Sequence, residues 1–183
     1  MNIVLIGPRG VGKSGASRVL ARLTRFPVLS TDLLISYEHD GLSIPAILRA
    51  HDGEWRRFRD LEYAVVAKVA RLDGVIIDTG GGVVVDLDDE GREIFSERKV
   101  TLLKQNGFIV HLTGDPARLA ARVSRDPNRP ALSAAHSEEA IMRRREPFYR
   151  RAADLTVDGS RMRREELAEW IFKRLPGAET GLH

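Results

Sequence analysis

The chain has 183 residues, 29 basic against 26 acidic side chains, a formal net charge of +3 and no cysteine. That length fills one good core and is short for two. Without cysteine there is no disulfide, no thiolate nucleophile and no cysteine-ligated zinc. The basic residues are interleaved with acids, which suits a protein that handles a polyphosphate or a small acid and gives poor grounds for nucleic-acid binding.

In chain order, NIVLI (2–6) reads as a first strand. It is too short for a signal peptide or membrane span, so a soluble cytoplasmic protein with no membrane partner is expected. Ser14 to Thr24 carries Ala16, Val19, Leu20 and Leu23 on one helical face. FPVLS (26–30) is a second strand, and SIPAILRA (43–50) a short helix opened by Ser43 with Pro45 in its first turn. Glu54 to Leu72 is a longer helix with Phe58, Leu61, Val65 and Val69 on one stripe. GVIID (74–78) and FIVHL (108–112) are the third and fourth strands. Between them, the acidic start of Val85 to Asn106 reads as a solvated loop and Ser96 to Gln105 as a helix. Asp115 and Pro116 open a helix, residues 124–137 predict an exposed, mobile, arginine-bearing loop, and DLTV (154–157) is a weak fifth strand. The last helix, 163–174, should bury Leu167, Trp170, Ile171 and Leu175, and 177–183 is a flexible tail. Near-continuous apolar strands alternating with helices predict an α/β fold, a parallel sheet covered on both faces with its ligand beyond the carboxyl ends of the strands.

GPRGVGKS (7–14) is a phosphate-binding loop between that first strand and first helix. Gly7, Gly10 and Gly12 let successive N–H groups face one anion, Lys13 reaches the β/γ-phosphates, and the Ser14 hydroxyl ligates Mg²⁺. Arg9, Val11 and Gly15 complete the loop around ATP, with the helix dipole behind them. STDLLI and DTGGG leave the second and third strands toward the same crevice. Asp32 is either the carboxylate that fixes an acceptor hydroxyl or a helix N-cap. Gly80, Gly81 and Gly82 suggest close approach of a ligand, or a plain turn. Arg59 is either a carboxylate-binding fork or one half of an ion pair with Glu62.

Taken together, GPRGVGKS, the TD after the second strand, GEWRRFRDLE, DTGGG, the RP of the mobile loop and RREPFYRRAADL resemble the shikimate kinase family, of the nucleoside-monophosphate-kinase-like P-loop group, from Ile3 to about Val157. The resemblance implies ATP- and Mg²⁺-dependent phosphorylation of the 3-hydroxyl of shikimate in aromatic amino-acid biosynthesis. It implies a three-layer fold with a five-stranded parallel sheet of order 2-3-1-4-5, in one kinase domain over 1–176. A substrate-binding subdomain at about 31–62 and a lid at about 124–137 go with it. Carried over residue by residue, Asp32 holds the acceptor hydroxyl, Arg59 and Arg145 hold the shikimate carboxylate from two sides, Gly80 to Gly82 line the ring, and Arg129 of the lid reaches the transferring phosphate. Glu62 orients Arg59. Arg143, Arg144, Arg150 and Arg151 are expected to be solvated, and a monomer suffices because every proposed group comes from one chain.

Two departures stand out. Ser30 occupies the place of the family's first aspartate, which supports the hydrated Mg²⁺, while Asp78 ends the third strand where a small or hydroxyl residue is usual. Asp78 then reads as a relocated metal carboxylate, or as a buried structural aspartate. The connection Val85 to Asn106 is also several residues longer than usual and lies close to Gly82. Competing readings are a kinase for another hydroxy acid such as gluconate, and a nucleotide-sensing or nucleic-acid-associated module that has lost transfer.

Overall fold

The computed structural model describes residues 1–124, 136–160 and 162–177. Its main sheet is parallel, in the order β2-β3-β1-β6-β7, from strands β1 (Asn2–Ile6), β2 (Val28–Ser30), β3 (Ile76–Asp78), β6 (Gly107–Thr113) and β7 (Leu155–Asp158). This is the expected 2-3-1-4-5 order, with two further strands inserted in the numbering. Those are β4 (Val85–Leu87) and β5 (Glu93–Phe95), an antiparallel hairpin where the sequence suggested a solvated acidic loop.

β1 shows why the sheet is closed to water. All five of its residues are buried, Val4 and Ile6 joining the core on one face and Ile3 and Leu5 that on the other. Burying each such side chain stabilises by about 1.5–3 kcal/mol. Helices α1 (Lys13–Thr24) and α8 (Arg164–Phe172) cover the Ile3 and Leu5 face. The Val4 and Ile6 face is covered by α2 (Thr31–Tyr37), α3 (Ile44–Ala50), α4 (Trp55–Val69), α5 (Glu97–Asn106) and α7 (Glu138–Ala152). A short α6 (Pro116–Val123), capped by Asp115, packs through Leu119 and Val123 against Met142 and Val11. Trp170 is only partly buried, because it lies under the Arg174 guanidinium, 3.7 Å from the ring centroid, at the rim of α8. Among the described residues no helix is long and apolar enough to cross a membrane.

The register aims the site. Asp78 pairs with Leu5 on one side and with Ser30 on the other, so the ends of β1, β2 and β3 finish level. The Thr79 hydroxyl then donates to Leu5 O at 2.8 Å and the Gly80 N–H to Thr31 Oγ1 at 3.0 Å, tying the DTGGG turn to both neighbouring strand ends.

Candidate functional site

A cleft of about 1810 Å³ opens at that strand edge, larger than the roughly 300–1,000 Å³ usual for one small ligand and so able to take two. Its walls include Lys13, Ser14, Asp32, Asp78, Arg59 and Arg145, along with Gly80 to Gly82 and loop residues 9–12 and 15. Among the described residues one expected site residue, Gly7, is not among the walls. Gly7 lies beneath the loop, where a Cβ would strike the Leu112 carbonyl. Arg129, with residues 125–135 of the expected lid, lies outside the described residues.

At one end, α1 starts on Gly12 at φ 105° with no side-chain cap and no acidic residue in its first turn. The helix dipole at that end favours an anion. Lys13 folds back on the loop, donating to Gly7 O at 2.8 Å and Pro8 O at 3.0 Å. Arg118 and Arg122 of α6, which the sequence did not single out, line the same end. The Arg122 guanidinium reaches Gly10 O at 3.1 Å.

At the middle, Ser30 rather than Asp32 caps α2, its hydroxyl accepting from Leu33 N at 3.4 Å. Asp32, in the first turn, keeps its carboxylate for the cleft. It is open to the cavity yet enclosed by protein on most sides. That enclosure is the main reason its carboxyl sits above the usual range, with the fields of Glu62 and Asp78 adding and those of Lys13 and Arg9 opposing.

At the far end two guanidiniums meet the glycine turn on consecutive carbonyls: Arg59 donates to Gly82 O at 3.3 Å and Arg145 to Gly81 O at 3.2 Å. The glycines are needed for space. A Cβ on Gly80 would overlap the Asp32 carboxylate, and one on Gly82 the Arg59 guanidinium. The close approach read from the sequence is therefore first an approach of the protein's own side chains.

The ion-pair reading of Arg59 is borne out, and the pair stands at the cleft wall. Arg59 pairs with Glu62 at 3.0 Å and also faces the cleft, its guanidinium lying 5.3 Å from the Trp55 ring centroid. Burial alone would raise the Glu62 carboxyl, but Lys99 and then Arg59 outweigh it and hold Glu62 below its ordinary range. Arg145 is gripped from behind by Glu93 of β5, its Nε 3.1 Å from Oε1. Arg144, expected to be solvated, shares that carboxylate at 2.9 Å. Arg143 and Arg150 pair one turn away along α7 with Glu139 and Glu146, and Arg151 pairs with Glu97. The Tyr149 hydroxyl donates to Gly81 O, and burial pushes that phenol up to about 12. His111, stacked on Tyr149 at 5.1 Å, is buried and held down to about 4, by burial first and then by Arg150 and Lys13.

One end of the cleft thus suits a polyphosphate, the other a carboxylate, and the Asp32 carboxylate stands between them. A sequence model of the family described as shikimate kinase matches residues 9–176. The chain belongs to the shikimate kinase family. It is 40% identical over 174 residues to the shikimate kinase of Leptospira borgpetersenii serovar Hardjo-bovis, covering 95% of this chain and 97% of that one. To the shikimate kinase of Leptospira biflexa it is 41% identical over 172 residues, 94% of each chain. Among solved structures it is similar to shikimate kinase from Acinetobacter baumannii in complex with shikimate, at TM-score 0.79 and 30% identity over 94% of this chain and 90% of that one. The Aquifex aeolicus shikimate kinase matches at TM-score 0.71 and 26% identity over 99% of each. In this shikimate kinase family member the sheet register sets Ser30 and Asp78 side by side.

Proposed function

We propose that the chain transfers the γ-phosphoryl group of ATP to the 3-hydroxyl of shikimate, giving shikimate 3-phosphate and ADP. The observation that carries this reading is the pair of guanidiniums anchored on Gly81 O and Gly82 O, at the far end of a cleft that begins at a phosphate-binding loop. Planar forks suit the acceptor's carboxylate better than lysines would. Arg59 and Arg145 hold that group, and the glycine turn leaves room for the ring.

Asp32 accepts the proton of the attacking hydroxyl as the new O–P bond forms and the bond from the γ-phosphorus to the β-γ bridging oxygen breaks. The loop N–H groups, Lys13 and the uncapped start of α1 take up the charge on the phosphates. Asp32 is suited to the proton because its carboxyl is raised above the usual range. Arg129 would add a further donor from the lid.

The donor set fits a hydrated Mg²⁺ shared with the nucleotide. Ser14 and Asp78 both face the cleft, and among the described residues no cluster of three His, Asp or Glu would hold a bare ion. Ser14 would ligate the ion and Asp78 would accept from its water shell, in the role the family gives to an aspartate at Ser30. When bound, the ion neutralises phosphate charge and draws electrons from the transferring group.

The test is ADP formation by purified protein with Mg·ATP. Shikimate should accelerate it, whereas gluconate and nucleoside monophosphates should do so far less. Turnover unchanged by shikimate, or equal with gluconate, would sink the assignment and leave one of the competing readings.

A further inference from the structure

The connection between β3 and β6 supplies the glycine turn and, on its hairpin, Glu93 behind Arg145; it reaches the same end of the cleft once more, from a helix. Its helix α5 carries Lys99, which is fully buried. The ammonium donates to Glu62 Oε2 at 2.7 Å and to Val85 O at 2.6 Å. The same Glu62 oxygen accepts Arg59 Nη1 at 3.0 Å. One carboxylate is divided between two buried cations.

Charge counting shows what the division does. Arg59 paired with Glu62 alone is neutral and exerts little net pull on an anion; with Lys99 the group carries one net positive charge beside the cleft. Asp86 lies 3.6 Å from Lys99, but Arg98 binds it at 2.9 Å through both Nε and Nη2. Arg98 also reaches the Asp60 carboxylate at 2.9 Å, which is well exposed and screened by solvent, so the unbalanced negative charge lies at the protein surface and the buried group of Arg59, Glu62 and Lys99 keeps its positive one. The opposite wall repeats the pattern, with Glu93 divided between Arg144 and Arg145. A lone buried guanidinium would be expensive to keep. A carboxylate shared with a second cation fixes the guanidinium and leaves its charge only partly answered.

We infer that Lys99 is a positioning residue for acceptor binding: by sharing Glu62 it holds Arg59 on Gly82 O and preserves the net positive charge that draws the acceptor's carboxylate. This rests on the reading of Arg59 as an acid-binding group. Orientation and charge act in the same direction here, since removing Lys99 loosens Glu62 and also leaves Arg59 fully neutralised.

The experiment uses the full chain with Lys99→Gln, which keeps a donor for Glu62 without the charge, and with Lys99→Met. Each is assayed with shikimate and with shikimate methyl ester, whose acid is masked. KM for shikimate should rise about 10-fold, the scale of a residue acting through a network. Turnover number, KM for ATP and KM for the ester should stay within about 2-fold. Lys99→Arg, which restores the charge, should recover most of the loss. Damage to the fold would raise the KM of acid and ester together, and that outcome, or an unchanged KM for shikimate, overturns the role of Lys99. If Lys99→Met does not fold, Lys99→Gln carries the same prediction. Failure of the underlying reading looks different: the wild-type chain would then show no shikimate-dependent turnover, or Arg59→Lys would leave KM for shikimate unchanged.

Discussion

Replacing Asp78 with asparagine changes one charge and little volume, at a residue that lies 6% exposed on the floor of the cleft. β3 sets it opposite Ser30, so the charge absent from β2 is present one strand away, at the same level of the sheet. If Asp78 accepts from the water shell of Mg²⁺, its loss weakens an outer-shell contact, and such changes reduce metal affinity or activity about 10–100-fold. That corresponds to about 1.4–2.8 kcal/mol. Magnesium is dehydrated reluctantly and keeps several waters, so a carboxylate that orders those waters acts both in assembling Mg·ATP and in transfer. Asp78→Asn should therefore lower turnover roughly 100-fold and raise the magnesium needed for half-maximal rate. Ser30→Asp in that background should recover part of the activity, with some loss of stability if the new carboxylate gives up the cap on α2. Calorimetry of ATP binding with and without magnesium, on wild type, both single variants and the double variant, supplies a readout independent of rate. A buried structural aspartate would instead give lower thermal stability with the magnesium dependence intact. That result, or an unchanged rate, would refute the relocated metal carboxylate.

Arg59→Lys keeps the charge but loses the planar fork, and should weaken shikimate use by roughly 10- to 100-fold, the scale of a charged hydrogen bond of about 1.5–3 kcal/mol. KM for ATP, measured alongside, should barely move; an equal fall in nucleotide affinity would assign Arg59 to the phosphate end. Gly82→Ala puts a methyl group into the Arg59 guanidinium, so it should raise KM for shikimate at least as much as Arg59→Lys, with KM for ATP unchanged in the same assay. Asp32→Asn removes the proton acceptor and should lower turnover by about 100-fold or more. In the wild type Asp32 must be ionised to act and its carboxyl is raised. Activity should accordingly fall as pH drops through a value above the ordinary carboxylate range, and Asp78→Asn, by removing one of the raising fields, should move that limb to lower pH.

The strands were legible because a two-faced parallel sheet needs runs such as NIVLI and GVIID, and little else in a soluble chain produces them. The phosphate-binding loop was legible because its residues are contiguous, whereas Arg118 and Arg122 of α6, which line the same end, were not. The acid-binding end is assembled from four separate segments, and its supporting groups carried no local signal. Glu93 meets Arg145 across 52 residues and Lys99 meets Glu62 across 37. DLDDEGRE reads as solvated since nothing in its pattern says that Asp88 closes a tight turn, accepting from Glu90 N at 3.1 Å and Arg92 N at 2.8 Å, and so forms a hairpin. One clue was available. Lys99 shares the buried stripe of α5 with Val100 and Leu103, and a lysine on the apolar side of a helix asks for an anion. His111 inside the apolar FIVHL is a similar anomaly, although its ring packs on Tyr149 and none of the assigned steps calls on it.

The competing account of Arg59 and Arg145 is a set of structural ion pairs, and energetics weigh against it. Arg59, Glu62, Lys99 and Arg145 are each at most 4% exposed, and taking each ion out of water costs several kcal/mol that mutual attraction often fails to return. Well-packed apolar residues at the same four positions would generally serve stability as well or better. Two further features have no use in a purely structural cluster. The guanidiniums face an open cleft instead of closing on each other, and glycine stands at 80 and 82, where a methyl group would displace the Asp32 carboxylate and the Arg59 fork. Giving up side-chain packing at the turn to admit charged groups is destabilising unless an anion arrives to complete them. On the proposed function, a small carboxylic acid presenting a hydroxyl toward Asp32 would supply that anion, and its binding would return the stabilisation that the ion pairs alone do not.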